Sequence, residues 1–271
     1  MTQTWKAYAF RYASMPERYE DQLFLGGDPD VNWGMDYFFW ALQSGDRTIV
    51  VDTGANAAKM APKGRTPLID PVLALAGVGI DASKITEVFL THAHWDHVGN
   101  LDAFPNAHFW MQAREMQSVT GPYMAYRKIR GSYQMDEVQA LVGLVYEDRL
   151  TFLDGDGMLA PGLDYILLPG HSAGQTALRV QTENGPVLLA SDAVHYYREA
   201  VEERVFQSFN DVKEMLTSLR QCMAEVDGDL DRLIPGHDPI VSVRYPAETH
   251  LANGEPVALR VDQLPTKPLG I

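Results

Sequence analysis

The stretch THAHWDHVG, residues 91–99, constrains the fold and chemistry of this chain more than any other part of its sequence. It directly follows KITEVFL, residues 84–90, an apolar and β-rich run that predicts a buried strand. Four of its side chains are good ligands for a divalent metal ion: His92, His94, Asp96 and His97. The sequence therefore predicts a cluster of metal ligands at the point where a strand ends and a loop begins.

The spacing of these ligands predicts how they divide between metal ions. Side chains two positions apart lie on the same side of an extended segment, so His92 and His94 can reach one ion together. Asp96 and His97 follow directly, and a turn there would direct them to a second ion. Imidazole and carboxylate ligands suit zinc, iron, manganese or cobalt. A polar loop with chance histidines is the alternative, but three histidines and one aspartate within six residues argue against it.

The composition restricts the partners and the compartment that we expect. The formal net charge is −14 and the pI is about 4.9, a balance that opposes nonspecific binding to nucleic acid or to an anionic membrane. Cys222 is the single cysteine, so no internal disulfide can form, and a lone thiol fits a reducing compartment. The sequence shows no signal peptide and no run long enough to span a bilayer, so we expect a cytoplasmic protein.

Predicted strands and helices alternate along the chain, which predicts a single α/β domain over residues 1–271. Residues 110–150 are mostly helical by composition. They are either an insert that covers the substrate or surface helices whose aromatic side chains face the core, and the second interpretation is favoured. The tail, residues 245–271, has weak periodicity and would wrap the surface or contribute to an interface, and a homodimer is compatible with this.

Further candidate ligands follow apolar, strand-like runs in the second half of the chain. They are His171 after DYILLPG, Asp192 after VLLAS, and His237 after RLIPG. Each alone has a trivial interpretation as a turn or cap residue, so their joint arrangement carries the prediction. In the first half, Asp52 closes the run RTIVV. It would either orient the histidine cluster by a hydrogen bond or only stabilise a turn, and the sequence favours neither.

The pattern of these residues resembles the metallo-β-lactamase superfamily, whose HxHxDH signature stands here as HAHWDH, residues 92–97. The resemblance spans about residues 36–240. It implies an αββα sandwich, with two mixed β-sheets flanked by helices and a dinuclear metal site at one edge. It also implies that His92, His94 and His171 hold the first ion, that Asp96, His97 and His237 hold the second, and that Asp192 bridges both.

The resemblance is nearest to the N-acyl-homoserine lactone lactonases, in the segments DYFFWALQSGDRTIVVDTGAN, THAHWDHVGN and SDAVHYY. It implies a hydrolase that opens a lactone ring by attack of a metal-bridging hydroxide. The two divalent ions that it implies are zinc in preference to iron, manganese or cobalt. Asp96, a ligand, is also a candidate catalytic residue. Where the lactonases carry a tyrosine shortly after the bridging aspartate, this chain has His195, so either His195 or Tyr196 is the candidate proton donor.

Because His195 replaces that tyrosine, the sequence does not identify the substrate. An acyl-homoserine lactone, with a role in quorum quenching, and another lactone are both compatible with the pattern. If the protein is an enzyme with another substrate, that substrate would be another ester, a thioester or an amide. If the protein is not an enzyme, it would be a noncatalytic ligand sensor with an intact metal centre. Candidate pocket walls are Trp33, Phe38, Tyr123 and Phe206. A substrate carboxylate could pair with Arg127, Lys128 or Arg130, although a solvated cationic surface is the favoured interpretation.

Overall fold

A computed structural model describes residues 3–270 and shows two β-sheets. The strands of the first sheet are β1 (Lys6–Met15), β2 (Met35–Ser44), β3 (Arg47–Val51), β4 (Thr66–Pro67), β5 (Glu87–Phe89), β6 (His108–Gln112), β7 (Leu150–Leu153), β13 (Ala247–His250) and β14 (Pro256–Arg260). The strands of the second sheet are β8 (Gly157–Ala160), β9 (Leu163–Leu167), β10 (Thr176–Thr182), β11 (Gly185–Ser191) and β12 (Leu233–Pro235). Both sheets are mixed, because β3, β5, β6 and β7 run parallel in the first and β11 and β12 run parallel in the second.

The helices lie in the segments that connect these strands. The α-helices are α1 (Glu20–Leu23), α2 (Ala57–Met60), α3 (Pro71–Gly77), α4 (Ala113–Val119), α5 (Arg127–Arg130), α6 (Met135–Tyr146), α7 (Tyr197–Glu202), α8 (Val212–Glu225) and α9 (Ile240–Arg244). Short 3-10 turns cover Ala61–Lys63, Ala82–Lys84, Leu101–Ala103, Pro122–Ala125 and Leu230–Arg232. Among residues 3–270, no helix combines the length and the apolar character needed to cross a membrane.

Strand β2 shows how the sequence builds the layers. Successive side chains of a strand point to opposite faces, and both faces of β2 are buried. Tyr37 and Phe39 pack into one core with α3 and α6, whereas Phe38 and Trp40 pack into a second core with strands of the other sheet. The near-continuous apolar run of β2 therefore fits a strand that is covered on both sides.

Helix α8 covers the second sheet. Asp211 caps it by accepting hydrogen bonds from the backbone N–H groups of Lys213 and Glu214, at 2.8 and 3.0 Å. Leu219 and Cys222 lie on its buried face and belong to the core between helix and sheets. Cys222 is thus packed in this core, and burial raises the pKa of its thiol.

The predicted αββα sandwich is confirmed, with several differences in detail. The strand predicted at 84–90 is limited to Glu87–Phe89. Strands β7 and β8 were not predicted. The tail forms the hairpin β13–β14, and β14 extends the first sheet by pairing antiparallel with β1. The prolines and weak periodicity of the tail do not predict these two strands, because their identity depends on pairing with distant residues.

The sheet topology determines where the functional residues meet. Parallel strands end at the same edge of a sheet, so the loops after β3 and β5 lie side by side, as do the loops after β11 and β12. The loops that follow β3, β5, β9, β11 and β12 carry, respectively, Asp52, the stretch 91–99, His171, Asp192 and His237.

Candidate metal centre

The loops at this edge bring all seven predicted ligands into one buried cluster. The cluster divides into two groups, and within each group the candidate ligand atoms lie within 4.8 Å of one another. The first group contains His92, His94, His171 and Asp192, and the second contains Asp96, His97 and His237. This division matches the assignment that the resemblance implies.

The carboxyl group of Asp192 lies between the two groups. Its Oδ1 is 3.4 Å from Nε2 of His97 and 3.2 Å from Nε2 of His237, both in the second group. Its Oδ2 is 3.2 Å from Nε2 of His171 and 3.8 Å from Nε2 of His92, both in the first group. One oxygen therefore faces each group, which is the arrangement that a bridging ligand requires.

Several polar atoms of the cluster fit a metal and lack any other partner. Within residues 3–270, Nε2 of His92, Nε2 of His97 and Oδ1 of Asp192 are buried without a hydrogen-bond partner. Buried polar atoms are normally satisfied, and leaving each one unpaired costs about 1–3 kcal/mol. The imidazole nitrogens Nδ1 of His94 and Nε2 of His171 also face each other at 2.8 Å. Divalent ions at the centre of each group would satisfy these atoms.

Hydrogen bonds at the opposite ring nitrogens orient four of the histidines. Nδ1 of His97 donates to Oδ2 of Asp52 at 2.7 Å, and Nδ1 of His237 donates to the carbonyl of Asp36 at 2.7 Å. Nδ1 of His171 lies 2.9 Å from the carbonyl of Ser208, and Nδ1 of His92 lies 3.1 Å from the hydroxyl of Thr91. These partners keep the proton on Nδ1, so that Nε2 presents its lone pair to the centre.

Asp52 takes the orienting role that the sequence could not distinguish from a turn role. It is fully buried, has φ +62°, and accepts hydrogen bonds from the backbone N–H and the hydroxyl of Thr91, each at 2.8 Å. Burial raises the pKa of Asp52, while His97 and the two donors of Thr91 act in the opposite direction. The same carboxylate thus fixes the ring of His97 and the start of the ligand loop.

The electrostatics of the cluster suit cations. Burial and the neighbouring imidazoles lower the pKa of His92 and His94 well below the usual value, which leaves both rings neutral and able to bind a metal. Burial opposes ionisation of Asp192, but the surrounding histidines, first among them His237, hold the pKa of its carboxyl well below the usual range. His97 differs, because burial lowers its pKa but the carboxylates of Asp192, Asp52 and Asp96 outweigh this effect and raise it well above the usual value. The centre therefore offers the neutral imidazoles of His92 and His94 beside an ionised carboxylate.

Close packing holds the ligand loops in place. A Cβ added at Gly236 would lie 2.7 Å from Oδ1 of Asp192, so only glycine fits between the carboxyl of Asp192 and His237. Glu115, fully buried on α4, accepts hydrogen bonds from the backbone N–H groups of Ala93 at 3.0 Å and Gly174 at 2.7 Å. It therefore ties the first ligand loop to the loop that follows His171.

His195 lies next to the cluster and is completely buried. Its Nε2 is 3.1 Å from Nδ1 of His171 and 3.5 Å from Oδ2 of Asp192, and its Nδ1 is 3.1 Å from a carboxyl oxygen of Glu199. Its ring stacks on Phe206 with the ring centres 3.6 Å apart. Burial lowers the pKa of His195, but the carboxylates of Glu199 and Asp192 outweigh this effect and raise it to about 9. His195 is thus held between two carboxylates, behind the ligands.

Tyr196 is also buried, but the structure does not bring it to the metal groups. Its hydroxyl donates to the carbonyl of Gly34 at 2.8 Å, and its ring packs on Trp33 and Phe24. The adjacent positions 195 and 196 therefore face different surroundings at the start of α7.

A cleft of about 310 Å³ opens onto the cluster. Its lining includes the predicted ligands His94, Asp96, His171, Asp192 and His237. Of the four candidate pocket walls only Phe206 lines it, because Phe38 points into the core between the sheets, Trp33 packs on Tyr196, and Tyr123 is exposed elsewhere. Of the three candidate cations, Lys128 lines the cleft, and Nζ of Lys128 donates to the carbonyl of Gln207 at 3.2 Å.

Lys128, Ile129 and residues 131–133 form one wall of this cleft. The ring of Tyr133 lies 4.6 Å from the ring of His94, and the carbonyl of Ser132 accepts a hydrogen bond from the backbone N–H of Trp95 at 3.0 Å. Part of the 110–150 region thus reaches the cleft, although Leu141 and Leu144 of α6 face the core.

Several residues that shape the site carry no recognisable sequence motif. Glu115 looks like any surface glutamate in a helical segment, and Arg18 and Arg65 lie in irregular segments without a motif, yet both arginines line the cleft. Tyr37, which also lines it, belongs to an apolar strand run. Only the alternation of β2 could have placed Tyr37 on the same face as Phe39.

The fold and the clustered ligands define an αββα protein with a candidate dinuclear metal site. The family model of the metallo-beta-lactamase superfamily matches residues 36–237, and the chain belongs to this superfamily.

Relatives within the superfamily are N-acyl homoserine lactonases. One from Bacillus thuringiensis is 28% identical over 165 residues, which are 60% of this chain and 60% of that protein. The N-acyl homoserine lactonase AttM of Rhizobium radiobacter is 27% identical over 231 residues, which are 76% of this chain and 84% of that protein. A solved N-acyl homoserine lactone hydrolase with N-hexanoyl-L-homoserine bound at its catalytic metal centre superposes with a TM-score of 0.72 at 21% identity, over 89% of this chain and 95% of that chain.

Proposed function

We propose that this chain is a metal-dependent hydrolase with a dinuclear centre that opens a lactone ring. The position of Asp192 carries the proposal, because one carboxyl oxygen faces each group of ligands and unpartnered imidazole nitrogens surround it. All seven ligand positions are filled. Chemistry at two ions requires all seven side chains, whereas a fold kept only for binding does not.

Different residues of the chain would have different roles in the reaction. His92, His94 and His171 would hold one ion, Asp96, His97 and His237 the other, with Asp192 between them. When bound, two divalent ions supply a water of lowered pKa and polarise the carbonyl of the substrate. Imidazole and carboxylate donors favour zinc, with iron, manganese and cobalt as alternatives. Lys128, Ile129, residues 131–133 and Phe206 would cover the substrate in the cleft.

The substrate class is proposed from the relatives, which carry the name N-acyl homoserine lactonase. An acyl-homoserine lactone, and with it a role in quorum quenching, is one member of the class. A different lactone is the other, because His195 stands where those lactonases have a tyrosine, as the sequence resemblance implies.

Proton release tests this function directly, because opening a lactone liberates an acid. The zinc-loaded protein is assayed with a pH indicator against N-hexanoyl-homoserine lactone and simple γ- and δ-lactones, with a thioester and a β-lactam as controls. We expect turnover of at least one lactone and its loss after treatment with a chelator. Turnover of only the thioester or the β-lactam would contradict the lactone assignment. No turnover of any substrate by protein that holds two ions would favour the ligand sensor.

Variants at positions 195 and 196 separate a role at the centre from a structural role. We propose that His195 acts through Asp192, whose Oδ2 lies 3.5 Å from its Nε2. His195→Gln should retain two ions per chain and lower kcat by about tenfold to a hundredfold, the usual range for a residue that supports a metal ligand. Tyr196→Phe should retain kcat within about twofold and lose about 1 kcal/mol of unfolding free energy with its hydrogen bond. A loss of kcat in Tyr196→Phe that exceeds the loss in His195→Gln would instead assign the role at the metal centre to Tyr196.

A further inference from the structure

One wall of the cleft carries positive charge that no carboxylate neutralises. Arg18 and Arg65 line the cleft, and neither forms a salt bridge within residues 3–270. Elsewhere the arginines are mostly paired, as shown by Arg11 with Asp36, Arg47 with Glu87, and Arg260 with Asp262, each at 2.7 Å. Among residues 3–270, Arg127 and Arg130 also lack a salt bridge, but both are exposed and lie outside the cleft lining. Arg18 and Arg65 are therefore distinguished by lining the cleft without a carboxylate partner in a chain with a formal net charge of −14.

Arg65 is held in a fixed position close to the metal groups. Its Nε donates to the hydroxyl of Tyr37 at 2.7 Å, and its Nη1 donates to the carbonyl of Lys63. Its guanidinium lies over the rings of Tyr37 and Trp95, at 5.8 and 5.6 Å from their centres. The ring of Tyr37 in turn lies 4.9 Å from that of His237, so one aromatic ring separates Arg65 from a predicted ligand.

Arg18 is held on the same side of the cleft. Its Nη2 donates to the carbonyl of Gln22 at 3.0 Å, and its Nη1 lies 3.5 Å from Oε1 of Gln22. Its Nε is buried and has no hydrogen-bond partner in the part of the chain that the structure describes. A charged donor that is buried without an acceptor is costly unless a ligand supplies one.

The two arginines also repel each other. Burial, followed by the charge of Arg65, lowers the pKa of Arg18, and the same two causes lower the pKa of Lys63, whose Nζ lies over the ring of Trp95. Of the acids that act on Lys63, Asp96 belongs to the predicted ligands and Glu137 is paired with Lys59. An anion between these cations would remove the repulsion.

We propose that Arg18 and Arg65 form an anion subsite, and that the substrate of this cleft is a lactone or related ester that carries a carboxylate. The inference rests on the proposed function for the reacting bond, but the subsite itself does not depend on turnover. A guanidinium group presents donors in a planar fork that matches a carboxylate. The subsite would place that carboxylate on the Tyr37 side of the cleft, away from the carbonyl at the metal centre.

Two substrates that differ only in the carboxylate test the subsite through the ratio of their kcat/KM values. We compare 5-oxotetrahydrofuran-2-carboxylate with its carboxamide, which has the same lactone ring without the charge. The zinc-loaded protein should favour the acid in kcat/KM by at least about tenfold, as expected for a charge-assisted contact. Arg18→Gln and Arg65→Gln should each reduce this ratio by about tenfold. The control Arg127→Gln removes the same charge from an exposed position outside the cleft lining and should keep the wild-type ratio.

A binding measurement separates the subsite from the proposed reaction. Cyclopentanecarboxylate and cyclopentanecarboxamide, which have no lactone to open, are titrated calorimetrically into the same proteins. We expect the acid to bind more tightly and both arginine variants to lose this preference. An acid preference that persists in both variants would place the carboxylate on the metal ions and overturn the subsite, as would the absence of any preference in the wild type. Arginine-dependent binding without turnover of any lactone would support the subsite and contradict the proposed function.

Discussion

Asp192→Asn should lose bound metal and activity together. The bridging position requires one anionic oxygen toward each group of ligands, and an amide offers a single neutral oxygen. Two cations held close together without an anion between them repel strongly in a buried site. We expect at most one ion per chain and a loss of kcat/KM of at least about a thousandfold, since metal ions contribute several kcal/mol to such reactions.

Metal content by mass spectrometry and turnover of the preferred lactone measure this effect. Asp238→Asn is the matched control, because Asp238 is also buried beside this edge but accepts hydrogen bonds from the backbone N–H groups of Tyr197 and Ile240. It should be less stable but hold two ions. Two tightly bound ions in Asp192→Asn would contradict the bridging role.

Asp52→Asn should weaken only the second ion, although Asp52 is not a predicted ligand. Its Oδ1 accepts from the backbone N–H of Thr91, and its Oδ2 accepts from Nδ1 of His97. An asparagine keeps its oxygen toward the backbone donor and turns its amide N–H₂ toward His97. The ring would then accept at Nδ1 and carry its proton on Nε2, the nitrogen that faces the second group. A similar reversal of tautomer is expected whenever an aspartate that orients a histidine becomes asparagine.

Competition with a chromophoric zinc chelator resolves the two ions. Loss of such a supporting residue typically costs about tenfold to a hundredfold in metal affinity. We expect that loss for one ion and wild-type affinity for the other, which His92, His94 and His171 would hold. Equal weakening of both ions would mean that Asp52 supports the whole edge of the sheet and not one ring. Unchanged affinities would show that the hydrogen bond to His97 is dispensable.

The local motif was predictable because its chemistry is contained in a few adjacent residues. His92, His94, Asp96 and His97 follow a strand directly, so the sequence specifies both their identity and their common edge. His171 and His237 lie far away in sequence, and each alone looks like a turn residue, so they were predicted from their joint arrangement after strand-like runs and from the resemblance that it supports. The structure brings them to the same cluster because β9 and β12 end at that edge.

Other features depend on contacts that no local pattern encodes. The sequence left the role of Asp52 undecided, since an aspartate that closes a strand forms the same local pattern in both roles. His195 and Tyr196 are adjacent, and only the packing at the start of α7 shows which one faces Asp192. Arg18 and Arg65 come from separate irregular segments, and their common charge becomes visible only where the cleft joins them.

We expect two ions in this cluster to act together in the opening of a lactone. The most direct test is to add zinc stepwise to metal-free protein and to follow proton release from the preferred lactone at each step. We expect activity to rise steeply only as the second equivalent of zinc binds and then to stay constant. Full activity at one equivalent, with no further rise at two, would contradict this expectation.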